Sequence, residues 1–113
     1  MERSIIVKTT FEGTHCYVDA PEEVNFLRNL HRHLFYVEAE IEVFHDDREL
    51  EFLMVKNRIN NFLQNDVMFA FKASCEQMAE AIIKYIVHEY GERQVVVTVY
   101  EDNENGGRVY HEV

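Results

Sequence analysis

Hydrophobic and polar residues alternate most clearly in residues 33–44, HLFYVEAEIEVF. Glu38, Glu40 and Glu42 share one face of this segment. From residue 35 onward the other face carries apolar side chains: Phe35, Val37, Ala39, Ile41 and Val43. A two-residue period with one apolar face predicts a β-strand in a sheet that is buried on one side.

Three other segments have the composition of strands. Residues 4–12, 94–101 and 108–113 are rich in β-branched and aromatic side chains, which favour strands. In the first of them, one face holds Ile5, Val7, Thr9 and Phe11. Asn105-Gly106 lies between the last two segments and predicts a hairpin turn.

The hydrophobic period becomes helical between residues 49 and 64. Apolar side chains recur there in three- and four-residue steps: Phe52, Val55, Ile59, Phe62 and Leu63. A second helix is predicted to begin at Ser74 as N-cap, with Gln77 completing a capping box, and to stop before Gly91. We expect it to bury Met78, Ile82, Tyr85 and Ile86. Residues 13–30 are predicted to be irregular.

The element order ββααββ predicts an α+β fold, with a four-stranded antiparallel sheet and two helices on one face. A chain of 113 residues, 47% of them hydrophobic, suits a single domain over residues 1–113. An open sheet exposes unpaired strand edges, which pairing with neighbouring subunits would cover. We therefore expect a homo-oligomer.

Charge and composition exclude several classes of protein. A net charge of −10 repels phosphate backbones, so we expect no nucleic-acid partner. No apolar run reaches the ~18 residues of a membrane span, and the N-terminal residues resemble a strand more than a signal peptide. These features favour a cytoplasmic protein without a membrane partner. Cys16 and Cys75 permit one disulfide, but reduced thiols are expected in that compartment.

Histidines at positions 31 and 33 share the parity of the apolar face of strand 33–44. Two histidines at i and i+2 project in the same direction and can reach one ion. His15 follows the first strand, which would pair antiparallel with the second and bring His15 to the same sheet edge. A metal site and ordinary strand-end histidines both fit this pattern. The remaining histidines occur singly and are expected to be surface or structural residues: His45, His88 and His111.

Five short motifs follow one another along the chain. FEGTH at residues 11–15 and LHRH at 30–33 are similar to Phe-x-Ala-Ala-His and LHGH. EFLMVK at 51–56 and SCEQMA at 74–79 resemble Asp-Phe-x-x-Leu-Lys and Pro-Thr-x-Glu-Asn-x-Ala. VTVYED at 97–102, with Tyr110 after it, is similar to Val-x-Val-x-Glu-Thr followed by tyrosine. In this order they resemble the 6-pyruvoyltetrahydropterin and 6-carboxytetrahydropterin synthases.

The resemblance implies the tunnelling fold, whose ββααββ subunits form trimers that often stack into hexamers. It implies zinc bound by His15, His31 and His33, and a zinc-dependent lyase acting on dihydroneopterin triphosphate. Related ligands would be deazapurine precursors of queuosine biosynthesis. It also implies that Glu101 anchors the pterin, since a carboxylate offers two acceptors to two ring-edge donors. Without the resemblance, Glu101 would be taken for a solvent-exposed carboxylate at a strand end.

The chain departs from the family at its catalytic positions. Leu27 stands four residues before His31, where the family has its catalytic cysteine. Residues 61–66 lack the family's Asp-His pair. Because such acid–base groups contribute ~10²–10⁴-fold each, the usual reaction is expected to be slow or absent. A non-catalytic binder of a pterin, deazapurine or nucleotide-like ligand is the alternative.

Two further residues have open roles. Cys16 is the one thiol next to a predicted ligand and could replace the missing base, although strand alternation would point it away from His15. Arg32 replaces the family's glycine. It is a candidate for binding an anionic ligand tail, for pairing with Glu22 or Glu23, or for facing solvent.

Overall fold

In the computed structural model, four strands and two helices make up the regular structure of the described residues, 1–65 and 72–113. They are β1 (Ser4–His15), β2 (His31–Glu42), α1 (Phe52–Asn65), α2 (Cys75–Tyr90), β3 (Val95–Glu101) and β4 (Gly106–His111). The strands form one antiparallel sheet in the order β1-β2-β3-β4. The predicted α+β fold with ββααββ order is confirmed.

Both helices pack on the same face of the sheet. Alternate strand residues point toward them and are buried, as predicted: Phe35, Val37, Ala39 and Ile41 of β2, with Val43 directly after the strand. Val95, Val97 and Val99 of β3 continue this layer. Met78, Ile82 and Ile86 of α2 are fully buried against it. One hydrophobic core therefore lies between the sheet and the two helices.

Helix α1 begins three residues later than the sequence predicts. Glu49 lies in the preceding loop, where its carboxylate binds the Arg93 guanidinium. The side chain of Glu51 accepts a hydrogen bond from the Met54 N–H at 2.9 Å and so caps the N-terminus of α1. Phe52, expected in the core, is exposed because it stands at the first helical position.

Helix α2 begins as predicted. The Ser74 hydroxyl accepts from the Gln77 N–H at 3.1 Å, and the Gln77 side chain accepts from the Ser74 N–H at 2.9 Å. This is the predicted capping box, which satisfies two N–H groups that the helix cannot. Gly91, with φ of 87°, follows the helix and donates its N–H to the Val87 carbonyl.

Strands β1 and β2 extend further toward the candidate site than predicted. Their pairing continues through Gly13–His33 to His15–His31, so both strands reach this end of the sheet. At the opposite end β2 stops at Glu42 rather than at residue 44. Because the two strands end together, His15 lies within β1, not after it.

The β3–β4 hairpin forms, but Asn105-Gly106 is not its left-handed turn. Asp102 and Asn103 hold the positive φ angles, 52° and 58°. Gly106 is already the first residue of β4, opposite Tyr100. A Cβ atom there would overlap the Val99 carbonyl oxygen, so this glycine permits close strand approach rather than a turn.

The predicted irregular segment contains one short helical element. A 3-10 segment spans Glu22–Arg28 and is interrupted by non-helical angles at Val24. The Arg28 guanidinium donates to the Ala20 carbonyl at 2.9 Å, and the Tyr17 N–H donates to the Leu27 carbonyl at 2.7 Å. These bonds fold the segment back beside the end of β1. Among the described residues, no helix has the length and apolar character needed to cross a membrane.

Candidate metal centre

Strand register places three histidine side chains together at one end of the sheet. His15 and His31 are direct cross-strand neighbours in the β1–β2 pair. His33 lies opposite Gly13, which has no side chain to occupy the space between the rings. All three positions share the parity of Phe35, which points toward the helices. The rings therefore meet on the helix side of the sheet, as the sequence predicts.

The three imidazoles form a compact cluster. One ring nitrogen from each lies within 4.8 Å of the others, close enough to hold one ion. The ring centroid of His15 lies 4.4 Å from that of His31 and 5.3 Å from that of His33. The Nε2 atoms of all three rings are buried and make no hydrogen bond. Unpaired buried polar atoms are costly, and a single ion among the three rings would pair all three Nε2 atoms.

The other nitrogen of each ring has an oxygen acceptor. His15 Nδ1 lies 3.0 Å from the Ala73 carbonyl and His31 Nδ1 lies 2.9 Å from the Asn29 carbonyl. His33 Nδ1 lies 2.7 Å from Asp102 Oδ2. Carbonyls and carboxylates only accept, so each Nδ1 donates the hydrogen and each neutral ring keeps its lone pair on Nε2. Such outer bonds orient the histidines of protein metal sites.

Electrostatics favour the neutral, metal-binding form of His15. Burial lowers the pKa of His15 below its ordinary value of 6.5. The hydrogen bond to Ala73 and the charge of Glu101 oppose this shift, while the neighbouring His31 and His33 add to it. Only neutral imidazole has a free lone pair for a metal, so the environment of His15 suits a ligand.

Glu101 lies in the same cluster. It pairs with Phe35 across the β2–β3 ladder and therefore points to the helix side. Its Oε1 atom is 3.2 Å from His15 Nε2, and its Oε2 atom is 3.5 Å from His33 Nε2. Neither contact has hydrogen-bond geometry, since both Nε2 atoms lack hydrogen-bond partners. A carboxylate facing imidazole lone pairs is repulsive unless a proton or a metal cation lies between them.

A cleft of about 870 Å³ adjoins the cluster. Its volume lies within the ~300–1,000 Å³ of small-molecule sites. Residues from β1, β2, β3, α2 and the 3-10 segment line it, among them His15, Cys16, Leu27, His31, Cys75 and Glu101. Three predicted site residues, His15, His31 and Glu101, therefore share one cavity with Leu27.

The side chains that line the cleft determine which groups are available for proton transfer. Leu27 contributes only an apolar side chain. Neither cysteine forms a disulfide, as predicted. Burial, with the charges of Glu101 and Glu76, raises the pKa of the Cys75 thiol to about 11. Cys16 also lines the cleft, contrary to the expected direction, because β1 ends at His15 and strand alternation does not continue to Cys16.

Arg32 lies on the opposite face of the sheet from the histidines. Its guanidinium pairs with Glu12 of β1 at 2.9 Å, and its side chain is 69% exposed. Of the three alternatives, pairing with Glu22 or Glu23 is not the one found, since Arg32 pairs with Glu12 and Glu22 pairs with Arg28. A diagonal cross-strand partner was available on β1, which the linear sequence does not show. Binding of an anionic ligand by Arg32 stays a prediction.

Several residues that shape the site escaped the sequence analysis. Asp102 is one, although its place directly after Glu101 at a strand end was a usable signal. The carbonyls of Asn29 and Ala73 carry no sequence signal, because every residue has such a group. The family's Asp-His region falls on the end of α1, and Asp66 lies outside the described residues.

The three single histidines do not join the cluster formed within the described residues. His45 accepts from the Asp47 N–H, His88 is exposed on α2, and His111 lies 2.9 Å from Glu92. No protein-family model and no curated protein sequence matches the chain. The case for a function therefore depends on the motifs and on the geometry of the site.

Proposed function

We propose that this protein binds zinc through His15, His31 and His33 and holds a pterin or purine-like heterocycle in the adjoining cleft. The observation that carries the proposal is the convergence of three buried, unpaired Nε2 atoms. Each ring is oriented by an Nδ1 hydrogen bond to a different part of the fold. Three neutral imidazoles with a further open position are a zinc donor set.

Glu101 and the cleft support a heterocyclic ligand. The carboxylate lines the cleft and is about one-third exposed, so a ligand can reach it. Two carboxylate oxygens suit a ring N–H and an exocyclic amine on one edge of a heterocycle. Zinc, when bound, would polarise an oxygen atom of the ligand. This matches what the resemblance to the pterin synthases implies.

The cleft favours binding over efficient lyase chemistry. The apolar Leu27 cannot exchange a proton, and the raised pKa keeps the Cys75 thiol protonated near neutral pH. The second candidate function is a diverged lyase that uses Cys16. One observation favours it: Cys16 lines the same cleft as His15 and His31.

Metal content tests the first part of the proposal. We expect protein purified without chelator to contain close to one zinc ion per chain, measured by elemental analysis and native mass spectrometry. His31→Ala should lose the metal, whereas His88→Ala should retain it because His88 is exposed outside the cluster. Folded wild-type protein that takes up no zinc would contradict the proposal. The native mass also tests the expected trimer or hexamer.

Ligand binding tests the second part. Neopterin should bind to the wild type, and the affinity should fall in Glu101→Ala more than in Glu104→Ala, an exposed neighbour in the same hairpin. Unchanged affinity in Glu101→Ala would count against the binder. The wild type should form no more product from dihydroneopterin triphosphate than His31→Ala forms. Turnover that depends on both His31 and Cys16 would instead support the lyase.

A further inference from the structure

We infer that Glu101 is a fourth protein ligand of the metal in the ligand-free protein, completing a site of three histidines and one glutamate. The inference depends on the proposed zinc binding and adds a role for Glu101 beyond anchoring a heterocycle. It starts from the two contacts that Glu101 makes with His15 Nε2 and His33 Nε2.

The distances match those between ligands of one ion. Bonds of about 2.0–2.1 Å to a tetrahedral zinc place neighbouring donor atoms about 3.3 Å apart. The Glu101 oxygens lie 3.2 Å and 3.5 Å from the two Nε2 atoms. The carboxylate therefore stands at ligand spacing from two of the three rings. Among the described residues, the ligand atoms within 4.8 Å of one another belong to His15, His31 and His33, so a change of the Glu101 side-chain rotamer toward His31 would complete the set.

The electrostatics point the same way. Both oxygens of Glu101 face imidazole nitrogens, Oε1 toward His15 and Oε2 toward His33. Because the Nδ1 atoms of these rings donate elsewhere, their Nε2 atoms present lone pairs to the carboxylate. A divalent cation bound among these atoms would replace this repulsion by attraction on every side.

The hairpin holds Glu101 in this position. The Glu101 N–H donates to the Asn105 carbonyl at 2.8 Å, and the Glu101 carbonyl accepts from the Glu104 N–H at 2.9 Å. The next residue, Asp102, orients His33. One turn thus supplies both a ligand and the outer partner of a second ligand, so the metal and the hairpin are coupled.

A closed set of four protein ligands changes how the site would operate. Closed zinc sites are structural, whereas catalytic sites keep one position open. A heterocycle that binds Glu101 would withdraw it from the metal and free that position for the ligand. The metal would then become accessible when a ligand binds Glu101, because the donor groups of the ligand compete with the metal for this carboxylate.

Cobalt substitution tests the inference without reference to activity. Co²⁺ bound by the wild type should show the intense visible absorption of a four-coordinate site, and imidazole at pH 8 should leave it unchanged. In Glu101→Ala, imidazole should bind to the opened position and change the spectrum. Imidazole is used because it is mainly neutral at this pH, so the lost charge of Glu101 does not by itself explain its binding.

Metal affinity gives the second measurement. Glu101→Gln should bind Co²⁺ and Zn²⁺ at least about 10-fold more weakly than the wild type, a loss at least as large as outer-partner changes cause. Glu104→Gln should match the wild type. If the wild type binds cobalt and responds to imidazole as Glu101→Ala does, the inference is wrong while zinc binding stands. If the wild type binds no metal, the proposed function itself fails.

Discussion

Asp102 accepts a hydrogen bond from His33 Nδ1 at 2.7 Å, across 69 residues of sequence. Its other oxygen accepts from the Leu34 N–H at 3.0 Å. The hydrogen bonds from His33 and Leu34 lower the pKa of Asp102 below its ordinary value of 3.8, so it is an acceptor at neutral pH. The bond therefore places the His33 proton on Nδ1 and its lone pair toward His15 and His31.

Replacing Asp102 by asparagine should weaken metal binding about 10–100-fold, as is typical of outer partners of metal ligands. The amide can donate to Nδ1, which would move the ring proton to Nε2, where the metal needs a lone pair. Asparagine tolerates the positive φ at this position, so the fold should persist. Competition with a chelating dye measures the affinity. Asp47→Asn, an exposed change beyond the other end of β2, should leave the metal affinity unchanged. Equal metal affinities of Asp102→Asn and Asp47→Asn would refute the role of Asp102.

Removing the cap of α2 should destabilise the fold and loosen the site. Ser74→Ala loses the hydrogen bond to the Gln77 N–H, and we expect a cost of about 1 kcal/mol in the free energy of unfolding. Urea denaturation at fixed protein concentration measures this cost. Ser74→Asn, which retains a capping oxygen, should restore most of it. The preceding carbonyl, that of Ala73, holds His15, so zinc affinity should follow the same order of variants. A Ser74→Asn protein as unstable as Ser74→Ala would show that capping is not the cause.

The partly buried Arg93–Glu49 pair should make the free energy of unfolding depend on pH in the acidic range. Arg93 is 6% exposed, and its guanidinium donates to both oxygens of Glu49, at 3.1 Å and 3.0 Å. Burial alone would raise the pKa of Glu49, but hydrogen bonds from the Phe44 N–H and Arg93, with the charges of Arg93 and His45, lower it below 4.5. A carboxyl with a depressed folded pKa stabilises the fold above its unfolded pKa, and this stabilisation is lost as the pH falls through the folded value.

We therefore expect Glu49→Gln to be less stable than the wild type by about 1.5–3 kcal/mol at pH 7, the contribution of a hydrogen bond to a charged group. The difference should shrink as the pH falls below 4.5, because the wild-type carboxyl then becomes protonated too. Denaturation curves from pH 7 to pH 3 measure it. Glu23→Gln, an exposed change, serves as the control. A difference that stays constant over this range would contradict the linkage.

Cys75 should react slowly with alkylating agents near neutral pH. Its pKa of about 11 leaves about one thiol in a thousand as thiolate at pH 8, and the thiolate is the reactive form. In Cys16→Ala, which leaves Cys75 as the single thiol, modification by iodoacetamide should accelerate steadily as the pH rises toward that value. Mass spectrometry follows the reaction. Rapid modification at pH 7 in the folded protein would show that burial does not protect this thiol.

Residue patterns predicted the fold and the histidine cluster because both depend on local periodicity. The alternation of residues 33–44 defined the buried face of β2, and the capping signals at Ser74 located α2. The parity of His31 and His33 assigned both to the helix side. These conclusions needed only the two-residue period of a strand and the preferences of helix ends.

The errors arose where a distant partner decided the outcome. Arg32 pairs with Glu12 on β1, a partner that was not among the alternatives drawn from the sequence. Glu49 binds Arg93, which leaves it outside α1. The hairpin turns on Asp102 and Asn103, since Asp102 is held by Leu34 and His33 on β2. Each of these choices joins residues far apart in the chain, which a local pattern does not register.

The sequence by itself determined the element order, the faces of the strands and the histidines that share one of those faces. Only the tertiary structure decided that their Nε2 atoms converge, because that depends on three acceptors from three different segments. It also decided the place of Glu101, since the β2–β3 pairing sets its side chain beside these rings. Periodicity selects a face, whereas ångström-scale distances depend on how strands and helices pack together.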